Sequence, residues 1–148
     1  NVLERHNMSI KFLDHPSDLY VEVKANNLEE AFALCGLAVY EAMTNTNLVG
    51  REEEVKVVIE GFDLYSLLYN WIEELIYLFD SKGFLGSYVK VDEMIETNGK
   101  FVLKATILGE KYNPEKHESK TAIKAATYHL MEIKRENCYY VIRYVLDI

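Results

Sequence analysis

Apolar residues recur along this chain with two periods, and each switch between them marks a new element. Residues 8–13 and 19–25 read as short strands, the second alternating as Tyr20, Val21, Glu22, Val23, Lys24. Asn27-Leu28-Glu29-Glu30 then resembles a capping box, with Asn27 able to accept an N–H bond and Glu30 three residues on. The helix it opens runs to about Met43, with Leu28, Ala31, Phe32, Cys35, Val39 and Ala42 on or near one stripe. Asn45-Thr46-Asn47 ends it in a loop, and residues 53–60 alternate as a strand with Val55, Val57 and Ile59 on one face. The strongest helical signal covers 64–81. Asp63 is a good N-cap, Leu64, Leu67, Leu68, Trp71, Ile72, Leu75, Ile76 and Phe79 recur at helical spacing, and Gly83 suits the left-handed residue that closes a helix.

Two strands follow, joined by Asn98-Gly99, a strong hairpin signal. Its two-residue loop pairs Thr97 with Lys100 and sets Glu93 opposite Lys104. Residues 110–120 are polar and contain Pro114, so they read as a loop. The segment 121–134 is ambiguous: its Ala, Lys, Leu and Met content favours helix, yet Ile123, Ala125, Thr127, His129, Met131 and Ile133 would share one face of a strand. Cys138 to Leu146 is rich in Tyr, Val and Ile, which marks a strand. The order β-β-α-β-α-β-β-β-β predicts an α+β fold: one compact domain, a mixed sheet of about six to seven strands, and two main helices on one face.

At 148 residues the chain is sized for one domain, taken as 8–148, with residues 1–7 read as an N-terminal extension. No apolar stretch approaches the roughly 20 residues that span a bilayer, which excludes a membrane-spanning helix. Sixteen Lys and Arg against 24 Asp and Glu leave a net charge of −8, which repels phosphate backbones and argues against direct nucleic-acid binding. An acidic protein can still serve nucleic-acid metabolism by docking on a basic enzyme. Cys35 and Cys138 sit far apart in apolar surroundings, which fits free thiols in a reducing cytoplasm. With no C-x-x-C or H-x-x-x-H spacing, nothing points to zinc, and neither G-x-S-x-G nor a P-loop is present.

Two acidic clusters carry the candidate chemistry. Asp14-His15-Pro16-Ser17-Asp18 breaks an apolar run near one end. Val145-Leu146-Asp147-Ile148 places a carboxylate beside the terminal carboxyl at the other. If the ends meet, their oxygens suit a hard cation such as calcium. Each also has a plainer reading: a polar turn whose Asp side chains bond local amides, and a solvated strand-end carboxylate. His15 could be a ligand, a base or a turn histidine, and Ser17 is turn chemistry. His117, Lys120 and Lys124 form the one notable basic stretch, either a solvated loop or a contact for a phosphate or an acidic partner. A metal-dependent hydrolase, with Asp14, Asp18 and Asp147 on a cation and His15 as base, is also open at this stage.

Several ordered motifs, spread from about Met8 to Ile148, resemble one family, the archeases. Asp14-His15-Pro16-Ser17-Asp18 resembles that family's D-H-T-A-D, and Leu28 to Phe32 its L-E-E-A-F helix start. Leu68 to Asp80 resembles the L-L-x-x-W-L-x-E-L-L-Y-L-x-D helix. Gly109 to His117 and Ile123 to His129 resemble G-E-P-Y-D-P-x-x-H followed by I-K-A-x-T-Y-H, and the last two residues match a final D-I.

The resemblance implies a compact α+β domain with 121–134 as strand. It also implies a non-enzymatic accessory protein that promotes guanylylation and repeated turnover of RtcB-type RNA ligases in tRNA splicing. A chaperone role toward a tRNA cytosine methyltransferase is a further implication. By the same resemblance Asp18, Asp147 and Ile148 would hold calcium or another divalent cation, with Asp14 as a secondary candidate and His15, His117, Lys120 and Lys124 as function-linked positions. Pro16, Ser17, Tyr20 and Asn113 depart from the family pattern at Thr, Ala, Gly and Asp respectively. None touches the inferred ligands, but Tyr20 implies altered packing beside Asp18.

Overall fold

The computed structural model describes residues 8–15 and 17–148. The extension 1–7 and Pro16 lie outside them. The elements follow the expected order: β1 (Ser9–Leu13), β2 (Leu19–Ala25), α1 (Leu28–Met43), β3 (Glu53–Gly61), α2 (Leu64–Lys82), β4 (Phe84–Thr97), β5 (Lys100–Lys111), β6 (Ala125–Glu136) and β7 (Tyr139–Asp147). The α+β class and the strand count stand, but the strands form two antiparallel sheets instead of one mixed sheet. One is ordered β1-β2-β7-β6 and the other β3-β5-β4. The physical reason is where the crossovers land. Helix α1 carries the chain from the first sheet to the second, while α2 joins β3 to β4 with β5 inserted between them. No parallel neighbours result.

Local chemistry accounts for the helix ends. Asn27 Oδ1 accepts the Glu30 N–H at 2.9 Å, while Glu30 Oε2 finds no partner, so only half of a capping box forms. At α2 both halves are made, with Asp63 accepting from Ser66 N and Ser66 Oγ from the Asp63 N–H. Gly83 closes α2 at φ 65°, a conformation that costs other residues. Asn45 caps a short 3₁₀ turn, Thr46–Leu48, where a plain loop was expected. Strand β5 runs on through Lys111, which shortens the expected polar loop at its start.

Both helices touch strands of both sheets, and the core fills the space they share. Its largest fully buried side chains are Trp71, Tyr40, Tyr144 and Phe32. Each buried aromatic with a polar atom satisfies it on a main-chain carbonyl: Trp71 Nε1 donates to Phe32 O at 2.8 Å, Tyr40 OH to Leu75 O at 3.1 Å and Tyr144 OH to Cys35 O at 2.7 Å. The first two bonds clamp α1 to α2. Gly36 makes that approach possible, since a Cβ there would meet the Trp71 ring at 2.7 Å and Leu75 at 2.9 Å. Among the described residues no helix is long and apolar enough to cross a membrane.

Strand β6 resolves the ambiguous segment. It pairs Ala125 with Asp147, Ala126 with Leu146 and Thr127 with Val145, then resumes at Glu132 with Arg143. Five steps along β6 against two along β7 leave a wide bulge. The bulge reverses the strand's alternation, so the buried Ala126 precedes it and Ile133, opposite the core residue Ile142, follows it. The single face expected for Ile123, Ala125, Thr127, His129, Met131 and Ile133 is therefore broken. Leu130, inside the bulge, has φ 57°, a left-handed conformation costing roughly 1–2 kcal/mol for such a residue. Helix α2 covers the outer edge of β6, where Glu73 Oε2 accepts the Ala126 N–H at 2.9 Å.

Candidate functional site

The β2–β7 register decides whether the two acidic clusters meet. Leu19 faces Leu146, so Asp18 and Asp147 lie one rung further on, at the same end of neighbouring strands. Alternation sends both to one face. Val21, Val23, Tyr144 and Leu146 point into the core, while Glu22 and Arg143 pair on the opposite face with Arg143 Nε donating to Glu22 Oε2 at 2.8 Å. Arg143 also reaches Glu132 Oε1 at 3.6 Å, which ties β2, β7 and β6 together four rungs from the acidic end. That pairing raises the Arg143 pKa, chiefly through its bond to Glu22. Strand β6 supports the same end, with the Lys124 N–H donating to Asp147 O at 2.8 Å.

His15 completes this corner. Its Nδ1 lies 3.5 Å from Asp18 Oδ2 and is buried without a hydrogen-bond partner. Its ring packs edge-on against Tyr20, with centroids 6.1 Å apart, and near His129 at 6.4 Å. The bulky Tyr20 thus packs against the histidine next to Asp18. Asp14 is exposed just past the Leu13–Tyr20 pair.

Among the described residues no three His, Cys, Asp or Glu side chains form a ready metal cage. The donor set still fits a hard cation in kind, since Asp18, Asp147 and the main-chain oxygens of Ile148 are all oxygen donors. The orphaned His15 nitrogen is a polar group left over beside them.

The basic stretch divides. His117 is 3% exposed, its Nδ1 accepting the Asn113 N–H at 2.9 Å and its Nε2 lying 2.8 Å from Glu110 Oε2. Glu110 also accepts the Gly50 N–H at 2.7 Å and pairs with Lys116 Nζ at 2.8 Å. The Gly50 amide first, then Lys116 and His117, pull the Glu110 carboxyl down to about 2. Lys120 Nζ reaches both Glu41 Oε1 and the Glu41 carbonyl at 3.3 Å, fastening the loop to α1. His117 and Lys120 therefore anchor the loop between β5 and β6, whereas Lys124 adjoins Asp147 through its backbone and keeps its side chain exposed. Sequence reading missed the Glu110 network, although Glu110 and His117 stand seven apart within one quoted motif. It also missed the bulge, which no periodicity announces.

The family model described as "Archease protein family (MTH1598/TM1083)" matches residues 11–148. The chain belongs to the archease family. It is similar to a protein archease of Sulfurisphaera tokodaii, 41% identical over 140 residues, which cover 93% of this chain and 97% of that relative. A protein archease of Sulfolobus acidocaldarius is 43% identical over 138 residues, covering 93% and 97% respectively. Among solved structures, the solution structure of Methanobacterium thermoautotrophicum protein 1598 superposes with a TM-score of 0.80 at 34% identity, over 94% of this chain and 98% of that one. A Thermotoga maritima crystal structure, described as "an archease, possible chaperone", shares the fold with a TM-score of 0.57 at 19% identity, over 93% and 96% of the two chains. The archease assignment and the two-helix, seven-strand architecture agree.

Proposed function

We propose that this archease is a non-enzymatic, metal-binding accessory protein that activates an RtcB-type RNA ligase in tRNA splicing, promoting its guanylylation and repeated turnover. The observation that carries the reading is the β2–β7 register, which sets Asp18 beside Asp147 although they lie at opposite ends of the chain. Asp18, Asp147 and the main-chain oxygens of Ile148 would hold calcium or a similar divalent cation, with Asp14 within the same turn. Such a cation supplies concentrated positive charge at an otherwise acidic corner. Around it, the Glu22–Arg143–Glu132 rung holds the three strands in line, and His15 packs Asp18 from the side. The net charge of −8 favours approach to the basic surroundings of a nucleic-acid enzyme.

The test supplies excess RNA and GTP to limiting ligase, with and without this protein. Several turnovers per ligase are expected only in its presence, and Asp18→Ala or Asp147→Ala removes the gain without unfolding the domain. Equal stimulation by both variants would overturn the reading. With metal and model phosphoesters but no ligase, no turnover is expected, and hydrolysis there would favour an autonomous enzyme.

A second reading, chaperoning of a tRNA cytosine methyltransferase, draws on the exposed apolar side chains Phe62, Tyr128 and Leu130. It predicts suppression of client aggregation that survives loss of Asp18 and Asp147.

A further inference from the structure

The bulge in β6 turns large side chains outward where a continued ladder would not. Leu130 adopts its left-handed conformation while 44% exposed, and Tyr128 is 51% exposed. Tyr128 is nevertheless held in place, its ring stacked on Tyr69 of α2 with centroids 4.5 Å apart and planes 12° from parallel. Partial burial first, and the Asp63 carboxylate second, hold the Tyr128 phenol above its usual pKa, so Asp63 lies near the stack. Phe62, 78% exposed, flanks Asp63, and Tyr65 precedes Tyr69 by one turn. On its other side the bulge adjoins the acidic corner through His129 and His15. An aromatic surface thus runs from Asp63 to Asp18 and Asp147, with carboxylates at both ends.

We propose that the Tyr69–Tyr128 stack and the Leu130 bulge form a docking platform for arginine side chains on the basic surface of the partner enzyme. The proposal rests on the reading given under Proposed function and names the surface that reading leaves open. A guanidinium plane stacks on a tyrosine face while its charge is met by a nearby carboxylate, a combination the platform offers at its Asp63 end. Single-stranded RNA also stacks on aromatic rings, but its phosphates would face the Asp63 carboxylate and a chain of net charge −8 and be repelled. The aromatic platform would set affinity, and the Asp18–Asp147 corner would act once docked.

The test titrates RNA ligase of the same organism into the wild-type protein and into Tyr128→Ala, Leu130→Gly and Asp63→Asn variants, with calcium binding measured separately by calorimetry. Tyr128→Ala and Leu130→Gly are expected to weaken ligase binding by about tenfold or more, leave calcium binding unchanged, and recover full stimulation at higher concentration. Asp63→Asn keeps the helix cap and should flatten the salt dependence of binding. Leu130→Gly relieves the backbone and so tests the platform even if Tyr128→Ala perturbs folding. Wild-type affinity in both variants, or a loss confined to a labelled single-stranded RNA probe, overturns the platform alone. Failure of the wild-type protein to bind ligase overturns it together with the proposed function.

Discussion

Glu110 and His117 hold each other in the loop that follows β5, with Oε2 2.8 Å from Nε2 and the imidazole almost fully buried. The carboxylate is the hub, because Gly50 and Lys116 converge on the same oxygen.

That hub predicts an acid limb in stability. The Glu110 carboxyl sits near 2 in the folded protein against an ordinary 4.5. Its contribution is therefore complete above the ordinary value and is lost as the pH falls toward the folded one. Denaturant midpoints measured from neutral pH downward should decline across that window. Glu110→Gln should lower stability at neutral pH and flatten the decline. An unchanged pH profile in the variant would contradict the assignment.

The acidic corner predicts a separation of binding from folding. Added calcium should raise the melting temperature of the wild-type protein by mass action. Asp18→Asn and Asp147→Asn should lose that rise while their stability without calcium stays within about 1 kcal/mol of the parent, since Asp147 is exposed and Asp18 only half-buried. A calcium response retained in both variants would place the cation elsewhere.

Close approach of the helices predicts a penalty at Gly36. Gly36→Ala pushes a methyl group into the Trp71 ring, and overpacking of this kind costs about 1–3 kcal/mol. Chemical denaturation reads it directly, and a neutral result would mean that α1 and α2 can separate freely.

The left-handed backbone at Leu130 predicts an unusual ranking of substitutions. Leu130→Gly should be as stable as the parent or up to about 1 kcal/mol more so, whereas Leu130→Val should be the least stable, since β-branched residues tolerate positive φ worst. If valine ranks above glycine in urea melts, the bulge does not hold that geometry in solution.

Much of this fold was legible in the residues because local chemistry and tertiary packing agree there. Asp63, Asn98-Gly99 and the stripe from Leu64 to Phe79 each have one good structural use, and the protein makes that use. Even the Glu93–Lys104 contact follows from the hairpin loop, with 3.6 Å between Nζ and Oε2. Residues 121–134 were harder, since their helical composition is overridden by the β7 partner and by the Glu73 bond from α2. Division into two sheets was invisible for a similar reason, because nothing local says which strand a crossover returns to. At the site, the motifs pointed to Asp18 and Asp147, but their adjacency depends on a pairing that one chain's spacing cannot supply. His117 looked like a solvated basic residue because neighbouring lysines mask a side chain that turns inward.

The Glu22–Arg143 contact joins positions 121 residues apart, and the acidic corner lies four rungs beyond it. Closing so long a loop is slow and entropically costly, so this corner should mature late in folding and vanish early when the first sheet opens. A proteolytic fragment that keeps either acidic cluster but loses the other strand would retain the motif and none of its chemistry. Integrity of the whole domain is thereby read out at this one corner.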